Sequence, residues 1–193
     1  MSILLIGAAA GCGSGSSAAR GAAANLDYNR SVEDPTTVSC PSASFCMAVD
    51  ARDSSAFLFN GSTWSSVPRI NDPAASAQPG MASVSCASPT FCAAVDYGPD
   101  VVTFNGTAWS KPFAIDPAGY LQAVSCAAAG FCVAIDRKGN ALTYNGISWS
   151  APVNADPNGL SMGEGGISWP VVSCRSASFC AAGDSIGDAF VRN

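Results

Sequence analysis

The chain has 193 residues with a net charge of −5, and only 12% of its residues are charged. Its 9 basic residues are scattered and form no stripe, which argues against a nucleic-acid-binding protein. The sequence contains no His, which excludes Ser-His-Asp and Cys-His catalysis and every metal site that requires an imidazole ligand.

Residues 1–12 are predicted to be a signal peptide. The apolar run from Ile3 to Ala10 is much shorter than the roughly 20 residues needed to span a bilayer, but it suits the hydrophobic region of a signal. Small residues precede Cys12 and resemble the lipobox of bacterial lipoproteins. The resemblance implies that Cys12 is acylated and that the chain meets the membrane only through this lipid anchor. The run departs from the lipoprotein pattern in having no Lys or Arg before it, and the alternative is a plain secretory signal in which Cys12 is incidental.

Residues 13–24 consist of Gly, Ser and Ala apart from one Arg, a composition typical of a flexible tether. The chain from residue 25 to residue 193 is predicted to be a single domain.

Eight further cysteines form four pairs with identical spacing, each pair enclosing five residues. Because every copy repeats this spacing, we expect each Cys to bond its near neighbour in an oxidising compartment. The predicted disulfides are Cys40–Cys46, Cys86–Cys92, Cys126–Cys132 and Cys174–Cys180.

The cysteine pairs mark an internal repeat. Four copies of a Val-Ser-Cys…Phe-Cys pattern occur, with their first cysteines 46, 40 and 48 positions apart. The copies begin near residues 36, 82, 121 and 170. A period of this length is typical of propellers and solenoids.

The third copy contains four predicted strands, at residues 121–126, 131–136, 141–144 and 148–155. Asn145-Gly146 is a strong hairpin signal and predicts a type I′ turn between the last two strands. Four antiparallel strands per copy indicate a β-propeller blade. In this register the disulfide joins the first strand of each blade to the second.

The fold is therefore predicted to be all-β, a four-bladed β-propeller of about 45 residues per blade. The fourth copy ends before its fourth strand, and residues 25–34 are predicted to supply that strand and close the ring in a monomer. The alternative is a fragment of a longer propeller.

The pattern Ser-Cys…Phe-Cys-x-Ala, a following Asp and the turn Asn-Gly-x-x-Trp-Ser together resemble repeat β-propellers of bacterial exported proteins. The blades are loosely similar to Asp-box and kelch-like repeats. The stretch Asp136–Asn140 lacks the Ser and the Trp of an Asp-box, and the paired glycines of kelch repeats are absent. The resemblance therefore implies an architecture and leaves the function open.

An Asp follows the second strand of every copy. Such a ring of carboxylates would suit a Ca²⁺ ion or sugar hydroxyls, and no other cofactor is predicted. The favoured alternative is that each Asp caps its own turn. The four residues are Asp50, Asp96, Asp136 and Asp184.

Trp64, Trp109 and Trp149 follow the Asn-Gly turns. They would form an aromatic platform for a ligand or, as we favour for a Trp repeated at a fixed position, pack between blades.

The crossovers between blades vary in length, whereas the turns at the Cys spacer and at Asn-Gly keep their length. Crossover residues 73–81 and 157–169 are longer than 117–121. In propellers, crossovers and the loops between second and third strands share one face, where we expect any ligand to bind. That face would gather Asp53, Asp100, Glu164 and Asp188.

The predicted function is a non-catalytic binding module, secreted or anchored at the cell surface, whose partner is an extracellular glycan or protein. The alternative is a sialidase-like glycoside hydrolase with Glu164, Tyr97 or Tyr120 in its active site.

Overall fold

A computed structural model describes residues 35–68, 70, 80–155, 170–183 and 189–192. Several predictions lie outside these residues. They are the signal peptide with Cys12, the tether, the closing strand at 25–34, most of the two long crossovers, and the acidic residues Glu164, Asp184 and Asp188.

The described part of the chain is built from strands, and within it no helix is long and apolar enough to cross a membrane. Its fifteen strands are β1 (Pro35–Ser42), β2 (Phe45–Asp50), β3 (Ala56–Phe59), β4 (Trp64–Val67), β5 (Met81–Ser88), β6 (Phe91–Asp96), β7 (Asp100–Phe104), β8 (Phe113–Ala114), β9 (Leu121–Ala128), β10 (Phe131–Asp136), β11 (Asn140–Tyr144), β12 (Val153–Asn154), β13 (Val171–Ser176), β14 (Phe179–Gly183) and β15 (Ala189–Arg192).

The strands form four separate antiparallel sheets in chain order, one for each repeat. The first three sheets have four strands each, and the fourth has three, β13 to β15. This arrangement confirms the all-β prediction and the assignment of one blade to each copy.

The outer strand of the third blade is interrupted, contrary to the continuous strand predicted at 148–155. Trp149 makes a single bridge to Tyr144, and regular pairing resumes only at Val153. Pro152 lies in the gap, and its lack of an N–H removes a donor that a continuous ladder would need.

The Asn-Gly turns are four-residue loops, so the type I′ prediction was wrong. A type I′ turn needs a positive φ at both central residues. Gly146 has a φ of 91°, whereas Asn145 is not in the left-handed region. Instead, the Asn145 Oδ1 accepts hydrogen bonds from the N–H groups of Ile147 and Ser148, at 2.9 and 3.0 Å.

All four predicted disulfides are present. In the second, third and fourth blades the two cysteines lie directly opposite each other on the first two strands, as Cys126 and Cys132 do. Their Cα atoms are 3.9 to 4.0 Å apart in these blades. Each bridge therefore joins the inner strand of its blade to the second strand.

The hydrophobic core lies between the blades. We call the face of a blade turned towards the preceding blade its leading face, and the face turned towards the next blade its trailing face. Met47 and Val49 on the trailing face of the first blade pack with Val84, Ala94 and other residues of the second. Equivalent clusters fill the space between the second and third blades and between the third and fourth.

A repeated hydrogen bond also links the inner strands. The Cys86 N–H donates to the Ser39 hydroxyl of the preceding blade at 2.9 Å. Cys126 bonds Ser85 in the same way at 2.9 Å. Cys174 is bonded to Ser125, also at 2.9 Å. The Val-Ser-Cys motif thus encodes the junction: the Ser accepts from the next blade and the Cys N–H donates to the previous one.

The inner strands follow one another in chain order, with β1 packed along β5, β5 along β9 and β9 along β13. Among the described strands, β13 does not pack along β1 in the same way. Ring closure within the chain therefore remains a prediction, because its proposed strand at 25–34 lies outside the described residues.

Candidate functional site

One end of the blades carries the crossovers together with the loops between second and third strands. The backbone joins the two kinds of loop, since the Leu121 N–H donates to the Gly98 carbonyl at 3.0 Å and the Arg137 N–H to the Tyr120 carbonyl at 2.9 Å. We call this the crossover end. The contacts confirm that these loops share one end in the described blades.

The opposite end carries the Asn-Gly loops and the turns between paired cysteines. Gly106 approaches Thr90 so closely that an added Cβ would lie 3.2 Å from that side chain. With its φ of 97°, Gly106 also occupies a backbone conformation that other residues rarely adopt. These turns are therefore set by close packing of the backbone.

Asp50, Asp96 and Asp136 are buried at the crossover end, each at the end of the second strand of its blade. The Asp96 Oδ1 accepts hydrogen bonds from the N–H groups of Gly98 and Asp100, both at 2.9 Å. Asp50 and Asp136 accept equivalent bonds within their own loops. The turn-capping prediction is confirmed for these three residues.

Burial raises the pKa of Asp96 to about 6, although the backbone hydrogen bonds favour its charged form. The negative charge of Asp100 raises it further. Among the described residues there is no cluster of three His, Cys, Asp or Glu that could hold a metal ion. A Ca²⁺ ring remains a prediction that also involves Asp184, outside the described part.

Asp53 and Asp100 are half-buried at the crossover end, where the sequence places them. The Asp53 Oδ1 accepts a hydrogen bond from the Ser55 N–H at 3.0 Å, and burial raises the pKa of Asp100. Their role in binding remains a prediction.

A cluster of two cations and an aromatic ring lies at the crossover end of the third blade. The Tyr120 side chain is 47% exposed, and the Arg137 guanidinium lies 5.4 Å from the centre of its ring. The Lys138 ammonium donates to the Ala118 carbonyl at 2.9 Å. We call Tyr120, Arg137 and Lys138 the Tyr120 cluster.

The sequence interpretation named Tyr120 only as a candidate nucleophile and did not include Arg137 or Lys138. The signal that would have found them is the short crossover at 117–121. It brings Tyr120 directly against the loop between β10 and β11, which carries both cations.

Asp116 and Asp136 form a carboxyl pair beneath this crossover. Burial raises the pKa of Asp116, and the nearby Asp136 carboxylate raises it further. Both residues are buried, and an added Cβ on Gly119 would overlap the Asp116 carboxylate. The pair is therefore shielded from solvent.

Trp64, Trp109 and Trp149 each pack on the third strand of their own blade, and Trp109 and Trp149 also lie beside the core shared with the preceding blade. The Trp109 ring lies 5.3 Å from the Phe104 ring, and the Trp149 ring 5.4 Å from the Tyr144 ring. Both are half-buried against the clusters between blades, as predicted for a packing role.

No family model matches this sequence. No curated protein matches it either. Solved structures of the same fold do match. The chain is similar to the β-propeller domain of Cps50 (Swd1) from Myceliophteria thermophila, with a TM-score of 0.60 and 10% identity over 81% of this chain. It is similar to the WD40 repeats of RRP9, with a TM-score of 0.56 and 10% identity over 81% of this chain. It also resembles YCF48 bound to a D1 peptide, with a TM-score of 0.51 and 17% identity over 77% of this chain.

These similarities show a β-propeller fold. The chain spans about half the length of each neighbour, 51% for Cps50, 50% for RRP9 and 51% for YCF48.

Proposed function

We propose that this chain is an exported, non-catalytic β-propeller module that binds a protein partner at its crossover end. The Tyr120 cluster is the observation that carries this proposal. Tyr and Arg are enriched among the residues that dominate binding energy in protein interfaces. Here the two are held together before any partner arrives, which lowers the entropic cost of binding.

The chemistry of the cluster defines the partner. A half-exposed aromatic ring offers apolar contact, and the Arg137 and Lys138 charges favour a carboxylate next to it. We therefore expect a peptide segment with an acidic side chain beside an apolar one. That YCF48 was solved bound to a peptide supports peptide binding by this fold.

Peptide arrays test the proposal directly. Arrays of acidic–apolar peptides, with scrambled versions and a panel of glycans beside them, would be probed with wild type and with Tyr120→Ala. We expect peptide binding that weakens at least about tenfold in the variant, as for a hot-spot side chain. The matched control is Ile147→Ala, an exposed apolar residue at the opposite end, which should bind like wild type.

A glycan is the second candidate partner, because the exposed Tyr120 ring is also suited to stacking on a sugar. Binding of glycans with no binding of peptides would replace the protein partner by a carbohydrate. Equal binding by wild type and Tyr120→Ala would show that the partner does not bind at the Tyr120 cluster.

The buried carboxyl pair supports the absence of catalysis. Hydrolysis of a glycoside requires carboxylates that reach the scissile bond, and Asp116 and Asp136 are shielded from solvent. We expect no turnover on a panel of sialosides and other glycosides. Turnover that is lost in Tyr120→Phe, which keeps the ring, would instead identify Tyr120 as a nucleophile.

We further propose that the protein is exported and anchored through acylated Cys12. Four disulfides support an oxidising compartment. Radiolabelled palmitate should enter wild type and not Cys12→Ala. Equal labelling of both proteins would exclude acylation at that residue.

A further inference from the structure

The leading face of the first blade exposes side chains that the other blades bury. Val38 is 54% exposed, whereas Val84 and Val124 at the equivalent positions are 6% and 5% exposed. Cys40 is also exposed, whereas Cys86 and Cys126 are buried. The difference arises because the second and third blades are each covered by a preceding blade, and no described blade precedes the first.

The trailing face of the fourth blade shows the complementary exposure. Val171, Phe179 and Val191 on this face are 65%, 44% and 59% exposed. The equivalent Phe45 of the first blade is buried against the second blade, where its ring lies 6.5 Å from Phe104. An apolar face of this kind is typical of a surface that meets a partner.

The hydrogen bonds between blades leave one donor and one acceptor unmatched. At each internal junction, a Cys N–H donates to the Ser of the preceding blade. No described residue accepts from the Cys40 N–H, and none donates to the Ser173 hydroxyl. These are the two halves of one more junction of the same kind.

We propose that the trailing face of the fourth blade docks onto the leading face of the first blade of a second copy of this chain. Two copies joined head to tail at both junctions would form a closed, two-fold symmetric ring. One face carries the unmatched donor and the other the unmatched acceptor, so pairing two like faces would leave both groups unmatched. A second copy presents the matching face at each end, so both junctions reproduce those already present inside the chain.

The match to known propellers supports this geometry, since the four blades span 51% of the Cps50 β-propeller domain. Two copies would supply the remaining half. We propose that β13 of one copy contacts β1 of the other. The contact is limited to these inner strands, because Phe57 on β3, further out on the leading face, is already buried.

Two substitutions at the junction test the proposal. At the internal junction, the Thr37 hydroxyl contacts the Val84 N–H at 3.1 Å. Val171 and Val38 occupy the same two positions at the proposed junction, so we expect them to meet. Sedimentation velocity of the full wild-type chain should show a dimer, and Val38→Asp or Val171→Lys should shift it to monomer.

The double variant Val38→Asp/Val171→Lys separates loss of docking from loss of folding. It places opposite charges at both junctions and should recover the dimer at low salt, which a misfolded chain would not do. The control is Ile147→Asp, whose exposed position lies on the Asn-Gly loop of the third blade, and it should remain dimeric.

Monomeric wild-type protein at tens of micromolar would overturn the proposal and favour closure within one chain. A dimer that persists in both single variants would overturn it as well, because the contact would then lie elsewhere. Failure of the double variant to recover the dimer lost in both single variants would show that Val38 and Val171 do not meet.

Discussion

The third and fourth blades have similar sequences and very different surroundings. On the trailing face of the third blade Ala123 and Val133 are buried, whereas on the same face of the fourth Val171, at the position of Ala123, and Val191 are largely exposed. Both faces of the third blade are covered by neighbours, but only the leading face of the fourth is covered by another described blade. Burial in this protein is therefore decided by the adjacent repeat more than by a blade's own sequence.

This comparison shows where the stability of the fold comes from. Each core cluster draws its side chains from two blades, so a single blade owns no complete core. An isolated sheet of three or four short strands without a packed face is marginal in water. We therefore expect the described blades to unfold cooperatively, with the fourth blade contributing least.

The largest difference should follow from removing an apolar side chain. Leu142→Ala leaves a cavity between the second and third blades and should lower the free energy of unfolding by about 2–5 kcal/mol. Val191→Ala removes an exposed side chain and should change it by less than about 0.5 kcal/mol. Urea denaturation of the two variants would measure the difference, and equal losses would contradict the comparison.

Removing a disulfide should have the next largest effect. The paired substitutions Cys126→Ala/Cys132→Ala and Cys174→Ala/Cys180→Ala open loops of the same length, so each should cost about 2 kcal/mol from the unfolded state. The third-blade pair should cost more, because both of its sulfurs are buried in the core towards the second blade. Thermal unfolding under non-reducing conditions would compare them.

A smaller effect is expected from the hydrogen bonds between blades. Ser85→Ala removes the acceptor of the Cys126 N–H and should lower the free energy of unfolding by about 1 kcal/mol. Ser173→Ala should be silent in a monomeric chain and should weaken association in the proposed dimer. Urea denaturation of both variants would measure stability, and sedimentation velocity would measure association. If Ser173→Ala destabilised the monomer, the Ser173 hydroxyl would already have a partner within the chain.

An effect of similar size concerns pH and the second blade. With a pKa raised from 3.8 to about 6, the folded state binds the Asp96 proton more tightly than the unfolded state does. Stability should therefore fall as pH rises through this interval, and the protein should gain about 1 kcal/mol between pH 7 and pH 5 from this group. Asp96→Asn should remove that part of the dependence. Urea denaturation at pH 5 and pH 7 would measure this change. If the free energy of unfolding changed equally in wild type and in Asp96→Asn, Asp96 would already be charged at pH 5.

Repetition made much of the fold predictable. Cysteine spacing alone gave the correct pairing of Cys126 with Cys132, because four identical intervals leave one simple arrangement. The third-blade strand Phe131–Asp136 was predicted with its observed bounds. The turn at Asn145 was not, because its conformation depends on close packing against Gly130 on a neighbouring turn.

The candidate site was harder to predict than the fold. Asp50, Asp96 and Asp136, which recur at one position in the first three blades, cap their own loops, whereas the Tyr120 cluster occurs at one crossover and has no repeated signal. Arg137 and Tyr120 are also brought together across two loops, which sequence spacing does not reveal. A site that breaks the repeat is visible only after the blades are assembled.

At each of the three described junctions, the bond from a Cys N–H to a Ser of the preceding blade gives the row of blades a polarity. Every repeat carries the donor on one face and the acceptor on the other, so the sequence of a single repeat contains both sides of the junction. A duplicated repeat could therefore bond to the blade before it and to the blade after it. Such an array can lengthen or shorten by whole units during evolution without a new interface having to arise.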